Sequence, residues 1–121
     1  RMSYTCCSCI PKWVSKDAMI SEAAWWMEWT TKGSLQSEGD CELVRLKTQD
    51  LLGALEKHPS TEAMVWSYGR AFHVLASSLP PDDLTDLDFL DHAEIVAAMP
   101  QAARVEMAEA VLSTYKAGRS G

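Results

Sequence analysis

The segment TCCSCIPKW opens the chain with Cys6, Cys7 and Cys9, and Cys41 follows later. Cys6 and Cys9 form a C-x-x-C, the spacing that lets one turn present two thiolates to a metal. Zinc asks for four ligands in a tetrahedron. The four cysteines could supply them, but no second C-x-x-C or H-x₃₋₅-H completes a structural zinc pattern. Zinc held by Cys6, Cys7, Cys9 and Cys41 is therefore an alternative reading, and the leading one has no cofactor. Residues 2–15 contain no continuous apolar run of the kind a secretory leader needs. The cysteines read as cytoplasmic thiols or ligands and not as a disulfide framework.

A second cluster is DDLTDLDFLDHAE, residues 82–94, with six acids and no Lys or Arg. It carries the whole net charge of −6 and leaves the rest of the chain neutral. A calcium loop starting at Asp83 would put Leu87 at a ligand position and Asp88 where the sharp turn needs glycine, which rules it out. Asp91 followed by Glu94 has capping-box spacing. The carboxylates Asp82, Asp83, Asp86, Asp88, Asp91 and Glu94 otherwise offer a face to a basic-surfaced protein partner. Direct nucleic-acid binding is disfavoured, because phosphate contacts need clustered Lys and Arg. No Gly-rich phosphate loop, H-E-x-x-H or nucleophile elbow is present, so an enzyme is not expected.

The third cluster is AAWWMEW, residues 23–29. On a helix, Trp26 joins Met19, Ile20, Ala23, Met27 and Thr30 on one stripe and belongs to the core. Trp25 and Trp29 fall on the opposite side. Trp66 is also off its stripe, in a row with Arg70, His73 and Ser77. Either Trp13 and the N-terminal segment fold back over this ridge, or Trp25, Trp29 and Trp66 anchor a partner, a role for which tryptophan is favoured.

The elements that must position these residues read as helices. Strand signals are nearly absent, with no sustained alternation and no Asn-Gly or Asp-Gly turn. The spacing predicts helices over 16–31, 40–57 from an Asp40 cap, 61–79 from a Ser60 cap, and from Pro100 to about 117. KGSLQSEGD is a polar loop and 83–99 a set of short turns. Apolar stripes (Cys41, Val44, Thr48, Leu51, Leu55; Val65, Tyr68, Phe72, Leu75, Leu79; Val105, Ala108, Leu112, Tyr115) would pack these helices together. The 61–79 helix, with only Glu62 and Arg70 charged, is the central one. The expected fold is all-α, a compact antiparallel bundle of four main helices plus short turns. At 121 residues, 47% apolar and 23% charged, residues 1–121 make one folded domain, with 1–15 packed on the bundle. No stretch reaches the length of a membrane span.

The function expected is a cytoplasmic, non-enzymatic regulator or inhibitor that occludes a protein partner. That partner could belong to a nucleic-acid-handling complex, as with small proteins of phages and plasmids. A homodimer formed through the tryptophans is compatible with this reading.

Overall fold

The N-terminal third is not helical. In the computed structural model, which describes residues 1–6 and 10–119, three strands form an antiparallel sheet: β1 (Met2–Cys6), β2 (Lys12–Val14) and β3 (Gly33–Ser37). The order is β2-β1-β3, with Ser3 opposite Trp13 on one side and Tyr4 opposite Leu35 on the other. Met2 and Tyr4 are buried, which is the period-two pattern of a strand with one face on a core. The all-α bundle is thus corrected to a mixed fold of a small sheet and helices.

Two expected helices change for identifiable reasons. Residues 16–31 hold only a 3-10 turn, Glu22–Trp25. Asp17 and Ser21 have φ of 63° and 59°, outside the right-handed helical region, and the Ser21 amide donates to the Asp86 carbonyl at 2.7 Å. Long-range bonding has overridden local periodicity. Of the helix expected over 40–57, only α1 (Thr48–Glu56) forms. Residues 40–47 have no regular structure, and Leu43, Val44 and Leu46 are exposed. Most helical stability comes from packing one face, and these side chains have nothing to pack against. The polar loop KGSLQSEGD contains β3.

The C-terminal half follows the helical reading more closely. Helix α2 (Pro59–Ser77) starts with proline at the first helical position, where its missing N–H costs nothing. It contacts α1, α3 (His92–Ala98) and α4 (Gln101–Arg119), so it is the central helix. Asp91 caps α3 by accepting a hydrogen bond from the Ala93 amide at 3.0 Å. A 3-10 turn, Pro81–Asp83, begins the acidic stretch. The core gathers Ala23, Phe72, Ala76, Ile95, Met99 and Ala103, with Trp26, Trp29, Tyr68 and Phe89 packed around it. Helix α4 meets this core through Ala103 and Met107, while Val105, Leu112 and Tyr115 are exposed. The stripe expected to bind α4 into a bundle therefore faces outward.

Candidate functional site

One carboxylate joins sheet to helices. Asp86 is only 3% exposed. Its Oδ2 accepts from the Tyr4 hydroxyl at 2.9 Å and from the Lys32 and Gly33 amides at 2.8 Å each. Its Oδ1 accepts from Trp29 Nε1 at 2.8 Å. The Asp86 amide returns a bond to the Tyr4 oxygen at 3.1 Å. Burial pushes the carboxyl upward, but the bonds from Trp29, Gly33, Tyr4 and Lys32 outweigh it and hold the group below the usual carboxylate range. Burial and the neighbouring carboxylate push the Tyr4 hydroxyl up to about 12. Gly33 is required here, since a side chain would collide with the Thr5 carbonyl and the Tyr4 ring.

The tryptophans separate because the irregular backbone turns Trp29 away from Trp25 and Trp26. Trp29 turns inward: its indole N–H is committed to Asp86 and its ring stacks on Phe89, with centroids 6.0 Å apart and planes at 11°. Trp25 and Trp26 meet edge to face at 6.1 Å, and both line a surface groove with Trp66, Gly69, Arg70, His73 and Val74. The groove measures about 370 Å³. Trp66 stays 37% exposed, with its Nε1 donating to Glu62 at 3.3 Å. Gly69 makes room for Trp26, whose ring occupies the space a Cβ would need. Among the described residues, Trp26 Nε1 is the one buried side-chain polar atom without a hydrogen-bond partner. Such a donor ordinarily finds an acceptor.

Of the proposed partner-binding residues, the structure brings Trp25 and Trp66 together and adds Trp26, expected in the core. Trp29 and Asp86 are used internally, as the clasp between sheet and helices. Asp82, Asp83, Asp88, Asp91 and Glu94 are exposed. Trp13 lies on β2 under the Arg1 guanidinium, 3.6 Å from the ring centroid. Cys7 and Cys9 lie outside the described residues. Cys6 ends β1 beside the Lys32 carbonyl, whereas Cys41 bonds the Arg1 carbonyl at 3.2 Å. Those two thiols sit at opposite ends of a five-residue strand, about 16 Å apart at strand rise, too far to share one ion.

A grouping that the sequence reading missed is Glu22, Asp88 and His92, whose candidate ligand atoms lie within 4.8 Å of one another. Their separation in sequence hid it. Comparison of the chain with family models, curated proteins and solved structures returned no match. Among the described residues, no helix is long and apolar enough to cross a membrane.

Proposed function

We propose that this chain is a cytoplasmic, non-enzymatic regulator that occludes a protein partner by taking one of its apolar side chains into the Trp25–Trp26–Trp66 groove. The observation that carries this reading is the groove itself. It has aromatic walls and a volume in the range of ligand-holding pockets (about 300–1,000 Å³). Trp and Arg are the residues that most often dominate binding energy at interfaces, and Trp66 and Arg70 share this one. The cationic groups at the groove are Arg70 and, when protonated, His73. The occupant is therefore an apolar or aromatic residue beside a carboxylate that faces Arg70. The exposed carboxylates of 82–94 would offer a separate contact to a basic part of the same partner.

A random-peptide display against the full chain tests the groove. Enrichment of aromatic or aliphatic residues flanked by Asp or Glu is expected. Binding of the selected peptides should fall at least about tenfold in Trp66→Ala and in Arg70→Glu, equivalent to one good contact. Peptides that bind both variants as well as the parent chain would refute the assignment.

A further inference from the structure

We infer that Glu22, Asp88 and His92 form a binding site for a divalent transition metal, with zinc as the ion that fits the donor set. The three come from separate elements: Glu22 opens the 3-10 turn, Asp88 lies in the acidic loop, and His92 is the first residue of α3. The distances carry the argument. His92 Nε2 and Glu22 Oε2 are 3.4 Å apart. That is long for a hydrogen bond between an imidazolium and a carboxylate, which closes to about 2.7–2.9 Å. It equals the edge length of a zinc tetrahedron, because ligands about 2.0–2.1 Å from one ion stand about 3.4 Å from each other.

The carboxylate is also oriented for this. The Tyr68 hydroxyl makes an equally long contact, 3.4 Å, with Glu22 Oε1, while Oε2 is the oxygen beside the imidazole. The Tyr68 ring meets the His92 ring edge-on at 6.4 Å. One ligand held by a neighbour's hydroxyl, with its other oxygen presented, is how outer residues position metal ligands. Glu22 is 11% exposed at its side chain and His92 58%. The ion would thus sit at the surface with a fixed inner ligand. Asp88 is exposed, and its oxygen needs to move by about 1.5 Å to stand at tetrahedral distance from both other ligands. A fourth position would be left to water or to a partner's donor. Imidazole with carboxylate favours zinc and its neighbours, whereas magnesium prefers oxygen ligands alone. This site is separate from the groove and does not depend on it.

The test titrates Zn²⁺ and Mg²⁺ into the metal-free full chain against a chelating dye, with thermal unfolding in parallel. Zinc is expected to bind one equivalent and raise the melting temperature, and magnesium to do neither. His92→Ala and Glu22→Gln should each weaken zinc binding at least about tenfold. Tyr68→Phe should weaken it by about ten- to a hundredfold while leaving the chain folded. Co²⁺ in place of zinc should show visible d–d bands without thiolate charge transfer. Zinc affinity unchanged in His92→Ala, or lost only when the four cysteines become serine, would overturn the assignment. Absence of zinc binding by the folded parent chain would do the same.

Discussion

Asp86→Asn preserves shape and removes one charge, which makes it a sharp test of the clasp. Three donors converge on Oδ2, so the asparagine carbonyl must take that position. Its NH₂ group then faces Trp29 Nε1 across 2.8 Å, donor against donor. An unsatisfied buried N–H costs about 1–3 kcal/mol, and each of the three remaining bonds falls from charge-assisted strength to neutral, about 1 kcal/mol apiece. Relief of the carboxylate's desolvation and local relaxation return part of this. The expected loss is about 3 kcal/mol, or about 12 °C in melting temperature for a chain of this size. Tyr4→Phe deletes a single hydroxyl and should cost about 1–2 kcal/mol. Urea unfolding of both single variants and the double variant gives the coupling energy, expected to exceed about 1 kcal/mol. If Asp86→Asn unfolds within about 1 kcal/mol of the parent chain, or the two changes add, Asp86 does not hold the sheet to the helices.

Two further outcomes follow from the same geometry. Gly69→Ala and Gly53→Ala should move stability in opposite directions in thermal melts. The first forces the Trp26 ring to shift, at about 1–3 kcal/mol less the gain in helix propensity, whereas the second meets open space on α1 and gains up to about 1 kcal/mol. Because folding lowers the Asp86 carboxyl below its ordinary 3.8, its contribution is complete above that pH and fades as pH falls through the folded value. The urea-midpoint gap between the parent chain and Asp86→Asn should therefore be constant from pH 7 to 5 and shrink below pH 4. A gap unchanged down to pH 2 would contradict the assignment.

What was legible in the sequence was whatever local chemistry dictates. The apolar stripe of Val65, Tyr68, Phe72 and Leu75 marks α2, although the helix starts at Pro59 and not from a Ser60 cap, and Asp91 marks the start of α3. The sheet was hidden because β1 has five residues and pairs with β3 across the whole tryptophan segment. The periodicity of 16–31 was real as a pattern but described no helix, since contacts at Ser21 and Trp29 with Asp86 fix the backbone otherwise. Among six acids in thirteen residues, nothing marks Asp86 as the buried one. Its burial is a property of Tyr4 and Trp29, which lie 82 and 57 residues away. The groove was half visible: Trp25 and Trp66 stood out as off-stripe residues, but Trp26 joined them only because the helix did not form.

The clasp also decides how the molecule can be divided. Every donor to the Asp86 carboxylate comes from residues 4–33, while the acceptor belongs to the helical half. A three-stranded sheet this short is marginal alone. The helical half alone would lose Ala23, Trp26 and Trp29, which pack on its core, and would expose that apolar surface to water. Sheet and helices look like two modules when drawn, yet neither is a transplantable part. A cut anywhere between β3 and Asp86 separates a lock from its key, and only the joined chain is an inheritable unit of structure.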